Sequence, residues 1–140
     1  MEHSSIAWAV AKILHQAGAR LAIAYQNERV RDTVTKLVES WEDVLLLECD
    51  VTSDANVEKA YDQLNNEFGR LDTIIHSVAF ANKDDLGGPF LATSREGFRV
   101  ALDVSAYSLV PVCRYGAPLM SPDGGNIVTM TFQASSRVFP

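Results

Sequence analysis

The sequence predicts an α/β fold built on a doubly wound parallel sheet, and three observations predict it. Apolar residues at helical spacing alternate with short, wholly apolar runs, the connections between them are mostly short, and no repeat, low-complexity tract or linker interrupts the alternation. Strands covered by helices on both faces read as continuous apolar runs, and right-handed crossovers join them.

From Ser5, the residues Ile6, Ala9, Val10, Ile13 and Leu14 recur at three- and four-residue spacing and stop at Ala17-Gly18, where glycine can cap a helix in the left-handed conformation. The run Arg20 to Tyr25 follows directly and reads as a buried strand. Val30, Val34, Leu37 and Val38 mark a second helix, and Val44 to Cys49 a second strand. The segment Asp50-Val51-Thr52-Ser53-Asp54 supplies capping residues for a third helix, with Val57, Ala60, Tyr61 and Leu64 on its inner face and Phe68-Gly69 near its end. Leu71 to Val78 is the third strand. Beyond a loop containing Gly87-Gly88-Pro89, one long helix is expected from Ser94 to Leu119, and Gly124-Gly125 introduces a fourth strand over Asn126 to Phe132. That helix carries Val100, Leu102, Val104, Tyr107, Leu109 and Val112 around much of its circumference, more apolar surface than one sheet face covers. Packing against an equivalent helix of a second copy is the expectation; burial within one subunit is the alternative.

The alternation opens on a helix and closes just after a strand. A doubly wound sheet normally opens on a strand, and in the order 3-2-1-4-5-6 that strand sits in the middle. The sheet is therefore expected to be incomplete, with residues 1–140 forming a single, partial dinucleotide-binding domain. The strands Leu21 to Tyr25 and Leu71 to Val78 would flank the gap, each losing a ladder of backbone hydrogen bonds, so these residues alone are expected to fold poorly.

Composition narrows the function. With 47% hydrophobic residues in 140, the chain can bury one core, and its 12 basic against 18 acidic side chains, net −6, argue against nucleic acid or an anionic membrane as partner. Cys49 and Cys113 are far apart, and no cysteine or histidine stands at zinc-ligand spacing, so they read as free thiols in a reducing compartment, by default the cytoplasm, with no metal site. No apolar stretch approaches the roughly 20 residues of a membrane span.

The candidate site residues lie at helix starts and strand ends. A helix opening at Ser5-Ile6 presents backbone N–H groups and a positive dipole end, which suit a pyrophosphate; Ser5 can equally be a plain cap. Gln26 follows the first strand, where dinucleotide folds recognise the adenosine ribose. The first basic residue after it is Arg29, so the 2′-phosphate of NADPH has no immediate partner and NADH is favoured. Asp50 can accept from the adenine amino group while Val51 packs on the ring, although an aspartate at a helix start is more often a cap. Ser77, Val78 and Ala79 end the third strand with small residues that let backbone approach a flat ligand. His76, inside that strand, reads as a hydrogen-bonded structural histidine rather than a general acid.

Eight segments in order resemble the bacterial enoyl-acyl-carrier-protein reductases, members of the short-chain dehydrogenase superfamily with a Rossmann-like sheet. They are Ser-Ile-Ala-Trp at 5–8, Gly-Ala-Arg-Leu at 18–21, Tyr-Gln at 25–26, Cys-Asp-Val-Thr at 49–52, His-Ser-Val-Ala-Phe-Ala at 76–81, Arg-Glu-Gly-Phe at 95–98, Val-Ser-Ala-Tyr-Ser-Leu at 104–109 and Gly-Gly-Asn-Ile-Val-Thr-Met-Thr at 124–131. The fifth and seventh discriminate, because ordinary short-chain dehydrogenases carry Asn-Asn-Ala-Gly and Asn-Val-x-Gly there; Asp103 stands where the second Asn is expected.

The resemblance implies reduction of a trans-2-enoyl thioester on acyl carrier protein by NADH, in fatty acid biosynthesis and in a homotetramer. It places Ser5 and Ile6 at the pyrophosphate, Gln26 at the adenosine ribose, Asp50 and Val51 at adenine, Ser77 to Ala79 beneath ribose and nicotinamide, and Ala81 against the acyl substrate. A catalytic tyrosine and lysine at Tyr-x6-Lys spacing are implied beyond Pro140; no such pair occurs in residues 1–140. Phe132 stands where many members have tyrosine. The alternatives are another short-chain reductase acting on a carbonyl, or a truncated, non-catalytic remnant; the 140 residues alone are expected to show no reductase activity.

Overall fold

The computed structural model describes residues 5–133 and 136–137. Helix α1 (Ile6–Gln16) starts at Ser5 and ends before Gly18, whose φ of +86° is the left-handed conformation that reverses the chain into β1 (Leu21–Tyr25). Helix α2 (Glu28–Val38) leads to β2 (Val44–Glu48), and α3 (Asp54–Phe68), closed by Gly69 at φ +72°, leads to β3 (Thr73–His76). Each element lies where the spacing predicts it, with strands shorter than their apolar runs.

Both sheet pairings are parallel. β1 pairs with β2, Leu21 opposite Val44 and Tyr25 opposite Glu48; β3 pairs with β4 (Asn126–Thr129), Thr73 opposite Asn126 and His76 opposite Thr129. The two pairs form separate two-stranded sheets, so among the described residues β1 and β3 are each paired on one side only. This is the incomplete parallel sheet that the element order predicts. Helix α3 ties the halves together: its Val57, Ala60 and Leu64 pack on Leu47 of β2 and Cys49, with Tyr115, Val112 and Leu119 against the same cluster. Arg114 reaches Asp54 at 3.0 Å, and Arg20 lies 4.1 Å over the ring of Phe68.

Two expectations are corrected. The single helix over 94–119 is instead α4 (Arg95–Leu102), a π-helical turn over Asp103–Tyr107, α5 (Leu109–Gly116) and a 3₁₀ turn over Ala117–Leu119. Pro111 explains the break: it has no N–H to donate, and its ring clashes with the carbonyl four residues back, Tyr107. The Ser108 amide accordingly donates to the Asp103 carbonyl, a five-residue step, at 3.0 Å. The second correction concerns the length of β4, expected to run to Phe132. It ends at Thr129, and all four of its residues are exposed. No helix among the described residues is long and apolar enough to cross a membrane.

Candidate cofactor site

Ser5 caps α1, its hydroxyl accepting from the Trp8 amide at 3.2 Å, and no acidic residue lies in the helix's first turn. The plain cap is therefore real, and among the described residues no carboxylate lies in the first turn at the positive end of this 11-residue helix. Ile6 is exposed beside it.

Gln26 is exposed directly after the buried Tyr25. The next residue, Asn27, is committed to capping α2, its Oδ1 accepting from the Arg29 amide at 3.1 Å. The Cys49 amide donates to the Tyr25 carbonyl at 2.8 Å, extending the β1–β2 ladder and bringing Gln26 and Asp50 to one edge. Asp50 is not the cap of α3: Ser53 is, through the Asn56 amide. Asp50 instead closes an Asx turn, one carboxylate oxygen accepting from the Thr52 amide at 3.0 Å and the Thr52 hydroxyl at 2.7 Å. Val51 is half-buried against the core cluster.

At the end of β3 the contacts run farther through the chain. His76 is 3% exposed, its Nδ1 3.2 Å from the Thr129 hydroxyl and its Nε2 2.8 Å from the Ser108 hydroxyl. Ser108 donates its only proton to the Val104 carbonyl at 2.7 Å, so Nε2 must carry the imidazole proton and Nδ1 must accept from Thr129. Burial lowers the His76 pKa, which favours the neutral imidazole. His76 is thus a structural histidine joining β3, β4 and the helical layer. The Met130 amide donates to the His76 carbonyl at 3.1 Å, carrying the β3–β4 pairing one step further.

Beyond His76, Ser77 and Val78 are half-buried, Ala79 is exposed and Ala81 is half-buried. Neighbouring nucleophiles and acids are inert: burial pushes the Tyr61 phenol well above its ordinary range and raises the Cys49 thiol. Sequence reading missed Ser105, Ser108 and Thr129 as the residues that hold this segment. Pro111, which breaks the helix near two of them, was the available signal.

Gln26 follows β1, Asp50 and Val51 follow β2, and Ser77 to Ala81 follow β3, at the carboxyl ends of parallel strands where open α/β sheets bind ligands, while Ser5 and Ile6 open α1. Their chemistry fits a dinucleotide: a helix N-terminus with no acid in its first turn for phosphates, an acceptor carboxylate and an apolar neighbour at Asp50-Val51, and small side chains at Ser77 and Ala79 after β3.

The family model for enoyl-(acyl carrier protein) reductase matches residues 1–140. The chain belongs to that family. It is 45% identical over 136 residues to the NADH-dependent enoyl-[acyl-carrier-protein] reductase FabI of Enterococcus faecalis, covering 97% of this chain and 53% of the relative. It is also 45% identical over 130 residues to the NADPH-dependent FabI of Staphylococcus aureus, covering 91% of this chain and 50% of the relative. The crystal structure of the NADH enoyl-[acyl-carrier-protein] reductase of Aquifex aeolicus superimposes with a TM-score of 0.93 at 36% identity, covering 99% of this chain and 60% of that one. The chain spans about half the length of the curated relatives it matches. These likenesses carry the Rossmann-like sheet over to this chain.

Proposed function

We propose that this protein reduces the double bond of a trans-2-enoyl thioester on acyl carrier protein with NADH, in fatty acid biosynthesis, and that residues 1–140 are one partial dinucleotide-binding domain of it. The observation that carries the reading is the segment His76 to Ala81, which leaves the β3 edge with small side chains and a backbone fixed by contacts from the helical layer, within a chain of the enoyl reductase family.

In this reading Ser5 and Ile6 face the pyrophosphate with the α1 dipole, Gln26 takes the adenosine ribose, and Asp50 accepts from adenine while Val51 packs on the ring. Ser77, Val78 and Ala79 lie under the ribose and nicotinamide, and Ala81 faces the acyl chain. When bound, the dinucleotide supplies the hydride. The chain's own residues orient it and exclude water; electrophilic help to the thioester carbonyl would come from a tyrosine hydroxyl, and Tyr61, packed against the core cluster, does not serve. NADH is favoured over NADPH because Gln26 and the capping Asn27, rather than a base, follow β1.

The protein is further proposed to work in the cytoplasm as a homotetramer. Phe98, Leu102, Tyr107 and Val110 form an exposed apolar strip along α4, the π turn and α5, suited to the same strip of a second copy. Light scattering at micromolar concentration should show an oligomer; a monomer would remove that part of the reading. Activity is tested by following NADH absorbance with crotonyl and longer trans-2-enoyl thioesters. Turnover of a β-ketoacyl thioester instead would favour a carbonyl reductase, and dinucleotide binding without any turnover a non-catalytic role.

A further inference from the structure

The π-helical turn between α4 and α5 has a use that its backbone geometry alone does not explain. Its Ser105 hydroxyl accepts from the Phe80 amide at 3.0 Å and donates to the Phe80 carbonyl at 3.1 Å, so one side chain meets both hydrogen-bonding groups of a single residue as a neighbouring strand would. Ser108, at the end of the same turn, holds His76 at 2.8 Å. The two serines therefore bracket Ser77, Val78 and Ala79 from one element. The amide of Phe80 belongs to the peptide shared with Ala79, and its carbonyl to the peptide shared with Ala81. Fixing both sets the direction of the Ala79 carbonyl and the Ala81 amide, which a five-residue segment beyond the end of β3 could not set by strand pairing. π turns inside helices occur often at functional sites, and here the turn carries both hydroxyls.

We infer that Ser105 is a positioning residue: by clasping Phe80 it aligns the peptide groups between the segment beneath the nicotinamide and the residue facing the acyl chain. This rests on the proposed dinucleotide site. The adenine end, held by Asp50 and its local turn, is independent of the clasp. Ser105→Ala should therefore weaken one half of the cofactor's binding and spare the other.

The test measures NADH and AMP affinity by titration calorimetry, together with amide hydrogen exchange, for the unaltered protein, Ser105→Ala and Ser105→Thr. Two hydrogen bonds at one residue lead to an expected loss of about tenfold in NADH affinity and about tenfold faster exchange at the Phe80 amide in the alanine variant. AMP affinity and exchange at Val57 and Leu64 should not change, and threonine, which keeps the hydroxyl, should restore both readouts. If Ser105→Ala does not fold, Ser105→Cys keeps the volume with a much weaker donor and is read the same way. Unchanged NADH affinity in the variant, a parallel loss of AMP affinity, or no rescue by threonine overturns the role given to Ser105. An unaltered protein that binds neither ligand overturns the dinucleotide reading as well, a distinct outcome from tight binding that Ser105→Ala leaves intact.

Discussion

The β1–β2 half and the β3–β4 half of the molecule are built differently. In the first, the strands are mostly half-buried and the site is made by neighbours in sequence: Asp50 bonds Thr52, Asn27 bonds Arg29, and Ser53 bonds Asn56. In the second, the strand at the edge is bare and the site is made by distant partners: Phe80 with Ser105, His76 with Ser108, and His76 with Thr129. The adenine side is thus a set of local turns carried on the β1–β2 pairing, which brings Gln26 and Asp50 to one edge. The β3 side exists only once the helical layer and β4 have docked, so its geometry depends on tertiary structure.

The same contrast decides what could be read from the sequence. Element type, order and parallel pairing were legible because periodicity and the Gly18 and Gly69 stops are local signals. Asp50 was legible as a strand-end carboxylate and the stretch 50–54 as the source of a cap, but the Asx turn of Asp50 was not, since capping by Ser53 and an Asx turn by Asp50 draw on the same stretch. The long helix was misread because apolar spacing continues through Pro111, while the backbone cannot. Pro111 signalled a break in the helix near Ser105 and Ser108, but nothing in the sequence marks which strand end their hydroxyls meet.

The largest expected effect tests the β1–β2 half. Leu47 is 5% exposed in the cluster with Val57, Ala60 and Leu64, and Leu47→Ala should cost about 2–5 kcal/mol through lost burial and a residual cavity. Urea unfolding followed by tryptophan fluorescence can measure it, since Trp8 and Trp41 stack at 4.8 Å and report on the packing of α1. A cost under about 1 kcal/mol would mean that the core collapses around the gap and that the halves are less different than they look.

On the other half, Ser108→Ala removes the partner of a buried imidazole N–H and should cost about 1–3 kcal/mol. The pH dependence follows from the direction of the His76 shift. Its folded pKa lies below its ordinary 6.5, so the unfolded chain binds the proton more readily. The stability held by neutral His76 is fully present above about pH 6.5 and is lost as pH falls through the folded pKa. Unfolding midpoints between pH 8 and 5 should decline only on the acid side, and His76→Gln should flatten that part of the curve. A slope that survives this substitution would place the titration elsewhere.

Asp50→Ala sharpens the contrast in binding rather than in stability. It removes the Asx turn and the carboxylate offered to adenine, and AMP affinity should drop about tenfold, roughly 1.4 kcal/mol, with little change in unfolding because the turn is exposed. Asp50→Asn, which can keep the turn through its amide oxygen, should retain most of the fold there and lose the charge-dependent share of affinity. Equal AMP affinity in all three proteins would remove Asp50 from the site.

The smallest expected effect is at Val128, in the bare strand. Val128 is 46% exposed, and Val128→Ala removes two methyl groups that are only about half out of water. At about 0.8 kcal/mol per fully buried CH₂ unit, the loss should stay under about 1 kcal/mol, with reduced strand propensity contributing a few tenths of it. Ile127, 42% exposed on the opposite face of β4, should behave the same way. Two such weak effects on both faces of one strand are what an uncovered strand requires. Measured at rising protein concentration, the value also tests association: a cost that stays small from micromolar to hundreds of micromolar means that β4 is bare in solution. A cost that climbs toward that of Leu47→Ala means that another copy covers it, and the difference between the halves would then belong to the single chain and not to the assembly.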